Sequence, residues 1–426
     1  MPLRLMILFV IVTPLAGIAQ LEDGAFGANV NSFGHANGAT FAFLVYSAFL
    51  LAGAWWASGG RMFRSAAAAP PGPRVSPVSA ARLLQVTLAV NVVLALLMVF
   101  ALGGAEVLLG DVGKGEFRST LGGLGALAYL IVKWIAPATF ALACATYVIA
   151  GRPRRLRLLL VAGSLTAFVI GLSWGFKSSG LLVVLPGFVV LLWQASMRKV
   201  ILYAALAVAV IVLSFAWFDT VEDTAYSSAL EFLVARLTVF QGDVSWYIWD
   251  RWRSGEPLPD YARTLLVAMG DQLFSLITGI TRADSERWVL SHFGSLLTYT
   301  VGYPIEGIEA GHSVTGTPFS EGLIAAGWVG IPVFGLGAGL ISGFVFRRIE
   351  RALARSRTVS AALWSNYSVW CLFAWLNGGE IVQMFHISTL VGAALSWILL
   401  AQTQQLCGAL PRRARRRPTA ASPATP

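Results

Sequence analysis

Charge is what this sequence has least of. Only 12% of its 426 residues are Asp, Glu, Lys or Arg, against about 25% in soluble globular proteins. With 57% hydrophobic residues and a mean hydropathy of +0.71, a water-soluble globular chain is excluded and an all-α polytopic membrane protein is expected. Cysteine is nearly absent: Cys144, Cys371 and Cys407 sit in or beside apolar segments with no ligand spacing, which argues against a disulfide framework or a zinc site. There are four histidines, none in an HxxxH arrangement, so no dedicated transition-metal site, and no cofactor, is expected. The net charge of +10 does not point to nucleic acid, because the basic residues do not share one face with the polar readers of a site.

What the sequence has in abundance is long apolar runs. Crossing a hydrocarbon core of about 30 Å takes roughly 20 helical residues, and ten runs qualify: Leu3 to Gln20, His35 to Ala57, Leu83 to Gly104, Leu124 to Ala150, Leu156 to Trp174, Gly180 to Ser196, Val200 to Phe218, Gly322 to Phe346, Ala361 to Gly378 and Met384 to Gln402. The first also fits a cleavable signal peptide, with Arg4, an apolar core and Gly17-Ile18-Ala19 before Gln20. We read it as a retained helix, as polytopic inner-membrane proteins usually keep their first span. Alternate loops hold 21 of the 31 Lys and Arg but only one acid, Glu350. Positive charge stays on the cytoplasmic side during insertion, so both termini are expected there. The Ala/Pro/Ser-rich stretch Ser65 to Ser79 reads as a cytoplasmic linker. Residues 1–218 then carry seven spans, 219–320 form a large outer-face loop domain, 321–410 carry three more spans, and 411–426 are a disordered basic tail.

The outer domain holds thirteen acids and six arginines. Ala225 to Trp252 has helical spacing and ends in Trp246, Tyr247, Trp249 and Trp252, a cluster that resembles an interfacial aromatic belt. Two further amphipathic pieces, Ala262 to Leu276 and Asp284 to Thr300, follow. These are expected to lie on, or dip into, the outer membrane surface.

Several charges call for an explanation. Lys133 falls well inside the run Leu124 to Ala150; it is either an intramembrane functional cation or a snorkelling lysine at the true start of the span. Lys177 stands in a short outer turn against the general charge distribution, where it meets either an anionic ligand or lipid phosphate. Of the six outer arginines, Arg236 and Arg282 are the preferred phosphate binders, with Arg263 beside them, since guanidinium offers a planar fork of donors. Glu321 and His312 flank the start of the eighth span and are the best acid/base candidates. Glu321 with Thr317 and Ser320 also suits helix capping, and His312 also suits a plain surface loop. Glu380, beside Asn377, is a weaker candidate. The glycines Gly335, Gly337, Gly339 and Gly343 read as helix-packing surface rather than chemistry.

Thr317-Pro318-Phe319-Ser320-Glu321, followed by Gly327-Trp328-Val329-Gly330 and a glycine-rich helix, resembles Wzy-type oligosaccharide repeat-unit polymerases and, more distantly, O-antigen ligases. The many spans, the single large outer loop in the second half and the turn Gly175-Phe176-Lys177 are similar as well. His312-Ser313 is separated from Gly327 by thirteen residues, farther than the His-Asn of ligases from their GxxG, which favours the polymerase. The resemblance implies a GT-C-like membrane fold in the bacterial cytoplasmic membrane. It also implies metal-independent glycosyl transfer between undecaprenyl-pyrophosphate-linked oligosaccharides, membrane lipid and a chain-length regulator as partners, and no nucleic acid. Under it, Lys177, Arg236 and Arg282, with Lys133 and Arg263, would hold pyrophosphate or glycan, and Glu321 or His312 would take the acceptor proton. A flippase or other transporter is the competing class.

Overall fold

A computed structural model of the protein describes residues 2–60, 75–109, 117, 120–175, 179–193, 195, 198, 202, 234–309 and 312–408. Outside these described residues lie Arg61, Arg64 and Arg74 with most of the expected linker, Lys114, Glu116 and Arg118, Lys177, Lys199, the expected span Val200 to Phe218, the outer segment as far as Leu233, and the basic tail.

Apart from a two-residue antiparallel ladder pairing Phe26–Gly27 with Ser32–Phe33, the described elements are helices. The membrane half contains α1 (Pro2–Glu22), α2 (Ala39–Ala57), α3 (Pro77–Ala101), α4 (Leu124–Ile149), α5 (Arg154–Leu172) and α6 (Ser179–Leu191). The segment between α6 and α12 contains α7 (Val239–Arg253), α8 (Ala262–Leu266), α9 (Asp271–Thr278), α10 (Ser285–Val289) and α11 (Phe293–Thr300). After it come α12 (Pro318–Ala354), α13 (Thr358–Tyr367), continued through a π turn into Ala374–Gly378, and α14 (Ile387–Leu406), preceded by the short turn Ile381–Met384. Among the described residues seven helices are long and apolar enough to cross a membrane: α1 to α5, α12 and Ile381–Leu406; α6 is apolar but shorter. This is the architecture of a multi-pass membrane protein.

Two helix crossings set the frame, and both depend on missing side chains. On α12, Gly335, Gly339 and Gly343 lie one turn apart and press their backbone on α2; a Cβ on Gly339 would stand 2.1 Å from the Leu50 carbonyl oxygen. Without a hydrophobic force between helices in lipid, such close approach provides the van der Waals contact that joins them. The second crossing joins α1 to α7. A Cβ on Gly17 would stand 2.2 Å from the Thr238 oxygen, and one on Gly242 would stand 2.5 Å from the Ile18 nitrogen.

The α1–α7 crossing corrects the interfacial reading of Trp246 and Trp249. Trp246 and Trp249 are 2% and 7% exposed; their indole N–H groups donate to the carbonyls of His35 (3.2 Å) and Asn37 (3.0 Å), and Trp249 packs on Phe319 and Trp328. The aromatic cluster is part of the protein core, because α1, α2 and α12 supply an apolar surface that competes with lipid for it. Asp243 on α7 is fully buried and accepts from the backbone and side-chain nitrogens of Asn29, both at 3.0 Å, and from its neighbour Val244 N at 2.7 Å. Burial raises the Asp243 carboxyl to about 6 against these hydrogen bonds and the Arg236 charge.

The other expected outer helices are shorter than their sequence pattern suggests. Ala262 to Leu276 is interrupted at Gly270, whose φ of 87° and ψ of 154° suit glycine alone. Asp284 to Thr300 is split into α10 and α11 before His292. The eighth span starts earlier than Gly322, at Pro318, where a proline without an N–H costs nothing. It is also broken: Ala326 and Gly327 leave helical geometry, Gly327 with φ 57° and ψ −143°. Gly322 and Gly330 then touch, with a Cβ on Gly330 falling 1.8 Å from the Gly322 oxygen, although eight helical residues should separate them by about 12 Å. The first turns of α12 therefore fold back on its long arm, and Gly327-Trp328-Val329-Gly330 makes that break.

Candidate functional site

Glu321 sits in those first turns, 1% exposed. Its carboxylate does not cap its own helix, and the N-cap Thr317 makes no capping bond either; the Thr317 and Ser320 hydroxyls are instead bridged by Ser245 of α7, at 2.9 Å each. Glu321 reaches across the molecule. One oxygen accepts from the Tyr261 hydroxyl at 2.7 Å and the Ile381 amide at 2.9 Å, and the other from the Trp375 indole at 2.6 Å. Three donors from three segments thus share one buried acceptor, which satisfies the requirement that interior polar groups be paired. Burial, then the Glu321 charge, holds the Tyr261 phenol above its usual range, so Tyr261 remains the donor.

The residue before Ile381 is Glu380, a half-exposed carboxylate positioned by the left-handed Gly379 (φ 75°). Its Oε2 accepts from Gln383 Nε2 at 2.7 Å. The carbonyl of the same Gln383 side chain accepts from Lys133 Nζ at 3.3 Å, and Lys133 also donates to the Tyr129 hydroxyl at 2.6 Å. Lys133 lies in a π turn, Ile131–Ile135, inside α4. Such a turn loosens the i→i−4 ladder and is frequent at functional sites; here the Lys133 carbonyl is taken by the Asn366 side-chain amide at 3.1 Å. Lys133 is 4% exposed and among the described residues makes no ion pair. A buried ammonium with only neutral oxygen partners is costly, and an anion supplied from outside relieves that cost.

The candidates read from the sequence separate into two groups. Glu321 and Lys133 come together at the two ends of one short stretch, Glu380 to Gln383. The rest lie elsewhere: the Arg236 guanidinium covers the Phe240 ring at 4.9 Å, near Asp243, and Arg282 pairs with Asp271 at 3.2 Å and covers Trp288 at 5.7 Å. His312 is exposed and stacks on Tyr303 with ring centroids 5.8 Å apart; it is not among the donors to Glu321. Arg263 is half-buried in the wall of a cleft between α8 and α11. Lys177 lies outside the described residues. The sequence reading missed Tyr261, Trp375 and Gln383, which carry no local motif, and ranked Glu380 low although it is less buried than Glu321 and is linked through Gln383 to Lys133.

A second charged group ties α9 to the segments that follow it. Asp271 at the start of α9 faces Arg282 and, at 3.9 Å, His292. Burial works to lower His292, but the Asp271 carboxylate and the Trp288 carbonyl outweigh it and the imidazole is raised; Asp271 is lowered by the same His292 contact and by Arg282, against its burial.

Compared with known protein families, with curated proteins and with solved structures, the chain has no match in any of the three.

Proposed function

We propose that the chain is a membrane glycosyltransferase that polymerises undecaprenyl-pyrophosphate-linked oligosaccharide repeat units on the outer side of the bacterial cytoplasmic membrane, with both termini cytoplasmic. The observation that carries the reading is the hydrogen-bonded line Lys133–Gln383–Glu380 beside buried Glu321. It joins, at one helix junction, a cation with no ion-pair partner among the described residues and a partly buried carboxylate. Glycosyl transfer from a diphosphate needs this pair: the acceptor hydroxyl oxygen bonds to the anomeric carbon, the carbon–oxygen bond to pyrophosphate breaks, the hydroxyl proton goes to a carboxylate, and the leaving diphosphate meets positive charge. In this assignment Lys133, with Lys177, neutralises the diphosphate and Glu380 takes the proton. Glu321 fixes the positions of Tyr261 and of the segment bearing Glu380. This moves the base from Glu321 or His312 to Glu380, because Glu321 is enclosed and His312 is paired elsewhere.

A transporter reading is favoured by one observation, the burial of Lys133 inside a span. Lipid-linked glycans in a deletion strain separate the two. The polymerase reading expects single repeat units to accumulate on the outer face and polymer to return with the wild-type gene but not with K133M or E380Q. Accumulation on the inner face, or full polymer with both variants, contradicts it.

A further inference from the structure

Beside Tyr261, which bonds Glu321 and packs on Phe293, is a cleft of about 310 Å³ formed by the loop after α7, by α8 and by α11. That volume is at the small end of ligand sites, which run from about 300 to 1,000 Å³, and suits one unit of a longer ligand. Its back wall is fixed. Arg251 donates to the Thr300 carbonyl at 3.0 Å and pairs with Glu256 at 3.0 Å, and Pro257 and Pro259 hold the loop's φ angles.

Three groups facing this cleft have capacity to spare. Arg263 makes no hydrogen bond or ion pair among the described residues and is half-buried at the wall. Asp260 uses one carboxylate oxygen on the Ala262 amide, at 3.0 Å, leaving the other to accept. Tyr299 is 44% exposed. A planar donor fork, a carboxylate acceptor and an aromatic face over an apolar floor suit a ligand with a hydroxylated edge and a C–H face. A diphosphate would be repelled by Asp260, and an acyl chain would leave Arg263 and Asp260 unpaired. A hexopyranose ring has both of the surfaces the cleft offers.

We infer that this cleft, with Arg263, Asp260 and Tyr299 as its recognition groups, is a subsite for a neutral hexopyranose unit of the glycan. The inference rests on the glycosyl-transfer reading for its context and adds a place and a ligand class. Asp260 and Arg263 flank Tyr261, which donates to Glu321 and packs against Phe293; Leu290 and Leu296 of the cleft bracket Phe293 in turn. A sugar in the cleft is therefore displaced from the carboxylate centre, and is a unit of the repeat other than the one whose bond changes.

The test is saturation-transfer NMR of the full chain in lipid nanodiscs, with methyl glucopyranoside, galactopyranoside and mannopyranoside as probes and inorganic diphosphate as competitor. At least one glycoside should show transfer to its ring protons, reduced threefold or more in both Y299A and R263A, whose thermal midpoints should match wild type. No transfer above empty nanodiscs, undiminished transfer in both variants, or full displacement by diphosphate would overturn the subsite. If glycosides bind as described while a deletion strain keeps normal polymer, the subsite stands and the polymerase reading fails. If the deletion strain loses polymer while the glycosides fail to bind, the reverse holds.

Discussion

Replacing Glu321 by alanine removes the one acceptor shared by Tyr261, Trp375 and Ile381, and leaves three donors in an enclosed site. Each orphaned buried donor costs about 1–3 kcal/mol, so the loss is about 3–9 kcal/mol if water does not enter, against a total stability of about 5–15 kcal/mol for a typical domain. Glutamine is the discriminating substitution. Its single oxygen can keep the Tyr261 and Ile381 bonds, but its NH₂ then faces the Trp375 N–H at the 2.6 Å now spanned by a hydrogen bond. Two donors oppose each other there, so E321Q should lose about 1–3 kcal/mol while keeping the Glu380 segment near its place. The assay is thermal unfolding of the purified chain in nanodiscs, followed by Trp fluorescence, beside a polymer assay in complemented cells. The order expected for stability is wild type, E321Q, E321A, with E321Q retaining part of its activity. Wild-type stability in E321A would refute the tether.

Other substitutions probe other parts of the account. Asp243 is raised from its ordinary 3.8 to about 6, so the folded state binds its proton more tightly than the unfolded one. Its contribution is therefore fully present below pH 4 and lost as pH rises through 6, about 3 kcal/mol in all; the stability difference between wild type and D243N should shift by that amount between pH 4 and pH 7.5, and a constant difference would contradict it. G339A should destabilise the α2–α12 contact by about 1–3 kcal/mol, whereas G337A, with nothing within 4 Å of its new Cβ, should be neutral or stabilising; equal thermal midpoints for the two would count against that packing. K133M should keep or raise stability, because a buried ammonium with no ion partner among the described residues is replaced by an apolar chain of similar length, while polymer formation is lost; a stable K133M with normal polymer would remove Lys133 from the site.

Seven of the ten expected spans were legible because bilayer thickness imposes a length of apolar sequence that little else produces. Of the other three, Gly180 to Ser196 forms a helix shorter than a span, Ala361 to Gly378 is divided by a π turn and is not among the helices of spanning length, and Val200 to Phe218 falls outside the described residues. Of the four glycines expected to pack helices, Gly335, Gly339 and Gly343 were legible for a related reason, since their spacing repeats with the helical turn, whereas Gly337 faces open space. Gly327 and Gly330 were not, because the same small-residue signal serves a helix break as well as a helix contact. Trp246 and Trp249 were misplaced because an aromatic stripe records that a face is apolar and not whether lipid or another helix covers it. Glu321 could be singled out as a charge at a membrane junction. Its donors, however, come from positions 54 and 60 residues away, and only the fold-back at Ala326–Gly327 brings them together. Glu380 was undervalued because its link to Lys133 runs through Gln383, across 250 residues of sequence.

The proposed chain extension at the Lys133–Gln383–Glu380 line is tested by incubating the purified chain in nanodiscs with undecaprenyl-pyrophosphate-linked repeat units and separating the products by length. A ladder of lipid-linked oligomers is expected, with one undecaprenyl pyrophosphate released per bond formed, and no ladder with K133M or E380Q. Repeat units recovered uncoupled from wild-type reactions, or a full ladder with both variants, would contradict it.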